Sequence, residues 1–228
     1  MRVSLEFSKN AQSYEQRNII QNMVAKRVVE KVNLKPKRVL DLGCGSGAIC
    51  KEILWKYDSF LGVDFATGML ELHPKSKNIE AIYGDFNDST LFEYLSTYNY
   101  DYIFSASALQ WSQDLEATFR AIKNLNAPIS LAIFTSNTFK TLNKTANLSS
   151  ILRDSDEVNQ LQKLFFEAKS EIINYKLEFK TTREMFKYIK ESGVSGSRNI
   201  LNYKEIKKLM KDYPLNYLEF EVIFIYSL

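Results

Sequence analysis

The sequence is short of several residue types, and each shortage excludes something. Histidine occurs once, at His73, so no mechanism built on a histidine pair can operate, and a nucleophile–histidine–acid triad would rest on that one ring. His73 sits beside Pro74 in a polar segment and reads as a surface residue. Cysteine occurs twice, at Cys44 and Cys50. That spacing is neither a zinc pair nor a redox C-x-x-C, and two cysteines do not make a disulfide scaffold. A reduced, cytoplasmic protein is the expectation. No apolar run approaches the ~18 residues of a membrane span. The N-terminal MRVSLEFSKNAQSYEQRN has no apolar core, so it is not expected to be a secretory signal. Charge of one sign is also scarce: 30 Lys and Arg stand against 27 Asp and Glu, a net +3. The strong basic excess of a nucleic-acid binder is missing. Neither nucleic acid nor membrane is therefore expected as a partner, although a local basic patch for an acidic one remains open.

What is present is an ordinary globular composition, 45% apolar and 25% charged over 228 residues. A domain of this size hides roughly 70% of its unfolded surface. The apolar spacing predicts an amphipathic helix over 8–33, ended by Pro36. From there strands and helices alternate. RVLDLG (38–43), FLGVDFA (60–66), IEAIYGD (79–85), YDYIFSASA (100–108) and APISLAIFTS (127–136) read as strands. Helices are expected at 46–58, 67–72, 87–97 and 114–126. Residues 137–170 read as a mostly helical insertion. Beyond it come a strand at 171–180, helices at 182–192 and 202–213 with a loop at 193–199, and a long alternating strand at 215–228. The alternation indicates one α/β domain over 1–228 with a mostly parallel sheet. The segments 1–33 and 137–170 are the natural cap and lid elements.

Three of only eight glycines fall within five residues, Gly43, Gly45 and Gly47 in VLDLGCGSG, after a buried strand and before a helix. Glycine allows positive φ and close approach of a ligand to the backbone. The spacing is G-x-G-x-G, not the G-x-G-x-x-G that brings a dinucleotide pyrophosphate to a helix N-terminus. Asp41 lies two residues before Gly43. A carboxylate there is unhelpful beside a pyrophosphate and well suited beside a cation, so the ammonium and sulfonium of S-adenosylmethionine fit better than a nicotinamide dinucleotide. Two more acids end successive strands. Asp64, 17 residues beyond Gly47, can accept from both ribose hydroxyls; Asp85 can accept from the adenine amino group, with Phe86 packing on the ring. Each could alone be a solvated cap. Together they mark the crevice at the carboxyl ends of the strands.

DLGCGSG, GVDFA, GDF and YDYIFSASALQW, in that order, resemble the successive motifs of the class I S-adenosylmethionine-dependent methyltransferases. The resemblance implies a seven-stranded Rossmann-like sheet whose last strand is antiparallel and inserted beside the fifth. It implies that the glycines line the methionine end, Asp64 holds ribose, Asp85 and Phe86 hold adenine, and Ser105 lies near the sulfonium. Met69, in TGML, would pack under adenine, or equally in the core.

The acceptor is read from what a sulfonium displacement needs. An amine or phenol acceptor calls for a base; a carboxylate, ionised at neutral pH, does not. No convincing base is found, and no His, Asp or Glu cluster has the spacing of a divalent metal site, so no metal is expected. FSKNAQSYEQRNIIQ (7–21), SALQW (107–111), IFTSNTFKTL (133–142), YIKESGVSG (188–196) and YLEFEVIFIY (217–226) look like the malonyl-acyl-carrier-protein O-methyltransferase family of biotin biosynthesis. Phe7, Ala11, Tyr14 and Gln21 keep that family's spacing. The implied reaction is esterification of the free malonyl carboxylate on a thioester of acyl carrier protein, which is then the partner. Such a carboxylate asks for a cation, ideally a bidentate arginine. Arg120, Arg183 and Arg198 are candidates among eight arginines, and Tyr14 and Trp111 are candidates for the chamber wall, Trp111 being open to a core role. The carrier is acidic, and Lys204, Lys207, Lys208 and Lys211 form one helical stripe, either a docking face or a solvated one. The competing readings are a methyltransferase for another small carboxylate such as trans-aconitate, a non-catalytic S-adenosylmethionine-binding protein, and a nicotinamide oxidoreductase.

Overall fold

The computed structural model describes residues 18–191 and 202–227, with the side chains of 190 and 191 excepted. The first ten residues of the helix expected over 8–33, the loop at 193–199, and Phe7, Ala11, Tyr14 and Arg198 lie outside these residues.

The chain runs α1 (Ile19–Glu30), β1 (Arg38–Leu42), α2 (Ala48–Glu52), β2 (Ser59–Asp64), α3 (Thr67–Leu70), β3 (Ile79–Tyr83), α4 (Ser89–Leu95) and β4 (Tyr102–Ala106). A 3-10 turn (Leu109–Trp111), α5 (Leu115–Asn124), β5 (Ile129–Phe134), α6 (Lys140–Thr145), α7 (Ser155–Gln162), β6 (Ala168–Glu178), α8 (Thr182–Glu191), α9 (Tyr203–Asp212) and β7 (Tyr217–Ser227) follow. The seven strands form one sheet in the order β3-β2-β1-β4-β5-β7-β6. β1 to β5 pair in parallel, while β7 runs antiparallel to β5 and β6 on either side. This is the seven-stranded α/β sheet, closed by an inserted antiparallel strand, that the motifs imply.

The central strands read as continuous apolar runs because both faces of the sheet are covered. All six residues of β5 are buried, as are the last four of β1. On one face α1 turns Ile20, Val24, Ala25, Val28 and Val29 into a core shared with Phe104, Phe134 and Phe220. Ser130 Oγ donates to the Val28 carbonyl at 2.8 Å, tying α1 to β5. Arg27 and Lys31 both reach Glu171 on β6, at 3.1 and 2.6 Å. On the other face α5 buries Leu115, Phe119 and Ile122 against Leu40, Ile103 and Leu131.

Several expectations are corrected. The helix expected over 46–58 is only Ala48–Glu52. Ile53 turns extended (φ −74°, ψ 107°), which lets the Trp55 indole donate to the Pro36 carbonyl at 3.0 Å and leaves Leu54 92% exposed. The backbone N–H groups of Asp58 and Ser59 then both donate to the Lys37 carbonyl. Helical spacing of apolar residues there reflected separate anchors, not one face. Residues 137–170 contain two short helices, and the last three residues already belong to β6. α7 is built into the body: Val158 is fully buried, and Phe165 and Phe166 pack on Phe119 with centroids 6.5 and 5.2 Å away. No residue from 140 to 154 is buried. His73, expected at the surface, is 3% exposed; its Nδ1 lies 2.8 Å from the Pro74 carbonyl and its ring 5.8 Å from Phe60. Burial lowers its pKa.

Phe119 is fully buried between the sheet and the Phe165–Phe166 pair, so Phe119→Ala should cost about 3–5 kcal/mol of stability. Leu54→Ala should stay within about 0.5 kcal/mol. Urea denaturation of both variants checks the contrast.

Candidate functional site

The carboxyl ends of β1, β2 and β4 open into a cleft lined by Asn18, Gln21, Gly43–Ser46 and Ala48 on one side. Asp64, Phe65, Met69, Ala106–Ala108 and Trp111 complete it. The β1–α2 loop forms its floor. Gly43, Gly45 and Gly47 all adopt positive φ, at 79°, 52° and 86°. They do so for different reasons. A Cβ on Gly43 would lie 2.1 Å from that of Ala108, and one on Gly47 would lie 2.4 Å from Pro74 Cδ. Those two glycines let neighbouring loops close on the turn. At Gly45 a Cβ would meet only the Met69 terminal methyl, at 3.5 Å, so this is where a ligand can approach the backbone.

The acids are placed unequally. Asp64 is 8% exposed; one of its oxygens accepts from the Gly45 N–H at 2.9 Å and the other from the Ala66 N–H at 2.8 Å. It therefore fastens the glycine loop to the end of β2, with lone pairs left over on each oxygen. Burial pushes its pKa up to about 6, against the lowering effect of the backbone N–H groups. Asp41, on β1, is 1% exposed, and neither carboxylate oxygen has a hydrogen-bond partner. Burial first, and then the nearby Asp64, push it well above the usual carboxylate range. Burial also raises the Cys44 thiol.

Other expected residues fall elsewhere. Ser105 is fully buried and donates to the Leu42 carbonyl at 2.6 Å, as a strut between β4 and β1. The cleft is lined instead by its successors Ala106, Ser107 and Ala108. Asp85 is half-buried and not among the residues lining the cleft, and one oxygen accepts from the backbone N–H and side-chain amide of Asn87, at 2.9 and 2.8 Å. Phe86 is 7% exposed and packs in the core with Leu40, Val63 and Leu91. Met69 is 4% exposed and also lines the cleft wall. Trp111 is on the wall. Arg120 is not: it is exposed, paired with Glu116 at 2.8 Å and stacked over Phe165 at 5.2 Å. Arg183 is exposed on α8, away from the cleft lining. Among the described residues, no group of three His, Cys, Asp or Glu could hold a metal ion. No helix is long and apolar enough to cross a membrane among them either.

Sequence reasoning assigned no role in the site to Asn18, Phe65 or Ser107 and noted Gln21 only for its spacing. Gln21 does leave a signal: it is polar, yet it shares the core-facing turn of α1 with Ile20 and Val24. It is 7% exposed and its Oε1 has no partner, and the same holds for the buried Oγ of Ser107, whose φ is +62°. Buried acceptors without donors are costly, and such backbone strain collects at ligand sites. With Asp64 they make a cleft rich in acceptors; Asp41, expected beside the ligand cation, is instead buried behind the loop and outside the lining. S-adenosylmethionine supplies what is missing: ammonium and hydroxyl donors, and a cationic sulfonium. The residues present fit that group.

Comparison with known proteins agrees. A family model described as a methyltransferase domain matches residues 39–128. The malonyl-[acyl-carrier protein] O-methyltransferase of Legionella pneumophila is 28% identical over 148 residues, covering 61% of this chain and 52% of that protein. The enzyme of the same name from Halorhodospira halophila is 25% identical over 238 residues, covering 93% and 79%. The chain thus spans about half the length of the first relative and more of the second. Phosphoethanolamine N-methyltransferase 2 of Haemonchus contortus, solved with S-adenosyl-L-methionine, superposes with a TM-score of 0.57 at 15% identity, covering 96% of this chain and 57% of that one. That likeness speaks for the fold alone.

Because Asp64 holds its proton below about pH 6, its acceptor strength is full above that value and is lost as pH falls through it. The Kd for S-adenosylhomocysteine should therefore rise below pH 6, by up to about tenfold per unit. Asp64→Asn should bind weakly and flatten the profile. Calorimetry from pH 5 to 8 reads both, and a flat profile in the parent protein would sink the role given to Asp64.

Proposed function

We propose that this chain, a class I S-adenosylmethionine-dependent methyltransferase by fold and domain, esterifies the free carboxylate of a malonyl thioester carried on acyl carrier protein. One observation carries the carboxylate assignment. The ionisable groups on the described cleft wall are Asp64 and Cys44. Asp64 is engaged with two backbone N–H groups, and the Cys44 thiol is held neutral by burial. Neither suits the task of deprotonating a hydroxyl or ammonium acceptor. A carboxylate needs no such help, since it is already a nucleophile at neutral pH.

The chemistry is a single in-line displacement. A carboxylate oxygen forms a bond to the methyl carbon as the carbon–sulfur bond breaks, and the sulfonium becomes the neutral thioether of S-adenosylhomocysteine. The contribution of the protein is placement and exclusion of water. In this reading Asp64 holds the ribose hydroxyls, Met69 and Phe65 flank the base, and Asp85 reaches the adenine amino group. The loop around Gly45 faces the methionine portion, and Trp111 walls the acceptor side. Residues 143–151, free of buried side chains, are the part of the insertion suited to act as a lid.

The malonyl group and its carrier come from the relatives, which bear that name. The carrier's negative charge would meet α9. Lys204, Lys207, Lys208 and Lys211 are exposed there with Tyr203 and Ile206, while Leu209 is the buried anchor. The acceptor cation is not found among Arg27, Arg38, Arg120 and Arg153, which are engaged elsewhere. Arg183 is the candidate that remains within the described residues, with Arg198 outside them.

Labelled S-adenosylmethionine should pass its methyl to malonyl-carrier protein and not to the acetyl form, which lacks the free carboxylate. Transfer to trans-aconitate with none to malonyl-carrier protein would overturn the acceptor. Lys207→Glu with Lys208→Glu should raise the carrier KM by about tenfold while sparing the S-adenosylhomocysteine Kd. An unchanged KM would remove α9 from the docking face.

A further inference from the structure

Three strand-end loops, one of which carries Trp111, are joined by Asn87 and Arg153, the latter through both its side chain and its backbone. After β3, Asn87 is held by Asp85. Asn87 Oδ1 accepts from the backbone N–H of Gln113 at 2.8 Å. From the opposite side, Arg153 Nη2 donates to the Ser112 carbonyl at 2.9 Å and to the Gln113 carbonyl at 3.1 Å. The carbonyl of Arg153 itself accepts from the Ser136 N–H, just beyond β5, at 2.8 Å. Ser136 Oγ donates to Asp154 at 3.1 Å. Ser112 and Gln113 follow directly on Trp111, which lines the cleft.

The arrangement is an unusual use of an arginine. Its nearest carboxylate, Glu157, sits at 3.8 Å across one helical turn. Its donors go instead to two consecutive backbone carbonyls. Both bonds leave the one nitrogen Nη2, so a single cationic group draws the two carbonyls together and fixes the backbone between them. The Ser112 carbonyl belongs to a residue only 4% exposed, so water competes weakly for that bond, while the bond to Gln113 lies at the surface. The loop bearing Trp111 is also held by its short 3-10 turn, by Asn87, by the buried Leu109 and by the 2.7 Å hydrogen bond between the Ser112 and Thr118 hydroxyls; Arg153 adds the link to the insertion after β5.

We propose that Arg153, with Asn87 opposite, is a positioning residue that sets the Trp111 wall against the cofactor cleft. The proposal rests on the reading of that cleft as the S-adenosylmethionine site. It explains why an arginine so near the cleft is not free to bind an acceptor carboxylate. It also makes the insertion after β5 a determinant of the wall after β4, since the same residue bonds to both.

The test uses the full chain with Trp55→Phe, which leaves Trp111 as the single tryptophan. Arg153→Met should move the Trp111 emission to longer wavelength and weaken S-adenosylhomocysteine binding by about fivefold. Arg153→Lys, whose ammonium can still donate to a carbonyl, should recover to within about twofold of the parent. Should Arg153→Met not fold, Asn87→Ala removes the opposite support and should give the same pair of changes. A lowered Tm with parental emission and parental Kd would mean a purely structural arginine and overturn the proposal, as would a loss in Arg153→Lys as deep as in Arg153→Met. If the parent itself fails to bind S-adenosylhomocysteine, the reading of the cleft falls, while the emission shift still decides whether Arg153 sets the wall.

Discussion

The carboxylate of Asp64 is the joint on which the site turns. It accepts an N–H from the glycine loop after β1 and another from the chain leaving β2, so it fixes the shape of the cleft floor before any ligand arrives. It lies buried near a second acid, Asp41, that has no hydrogen-bond partner at all. Two carboxyl groups held this way raise each other's cost of ionisation. A cationic, donor-rich ligand removes that cost, and a phosphate-bearing one would add to it. The fit to a sulfonium cofactor over a dinucleotide thus turns on Asp64, the carboxylate on the cleft wall.

The rest of the fold serves this joint from a distance. The parallel strands bring three successive loops to one edge of the sheet, and Ser105 braces β4 against β1 beneath them. Helix α1 covers the adjoining face and delivers Asn18 and Gln21 to the cleft at its first turn. Its apolar stripe does the anchoring; the polar residue embedded in that stripe faces the ligand site. The antiparallel β7 lets the chain return to the sheet after a long excursion, so that the insertion after β5 can reach back over the rim through Arg153.

Much of this was legible in the residues. A mostly parallel sheet followed from alternation and from the buried runs, and the place of the last strand beside the fifth from the family resemblance. The glycine loop announced itself by concentrating a scarce residue, and Asp64 by closing the second strand. What was not legible depended on neighbours distant in sequence. Ser105 is polar at a strand end, and only the position of Leu42 decides that its hydroxyl is used within the sheet. His73 has a polar neighbourhood in sequence but lies beneath Gly47 and against Phe60 in space. Phe86 follows an acid at a strand end, yet its ring turns into the core. The helix expected through 58 failed because periodicity cannot distinguish a helical face from separate anchors such as Ile53 and Trp55. Of the three glycines, only Gly45 was free to be read as a ligand position; the other two make room for Ala108 and Pro74.

The account stands most directly on the charge preference of the cleft. The decisive measurement is thermal melting of the full chain with S-adenosylmethionine, and separately with NADH, at equal concentrations and neutral pH. The account predicts a concentration-dependent rise in Tm with S-adenosylmethionine and none with NADH. A rise with NADH alone would contradict it, because Asp64 on the cleft wall would then be tolerating a pyrophosphate instead of meeting a cation.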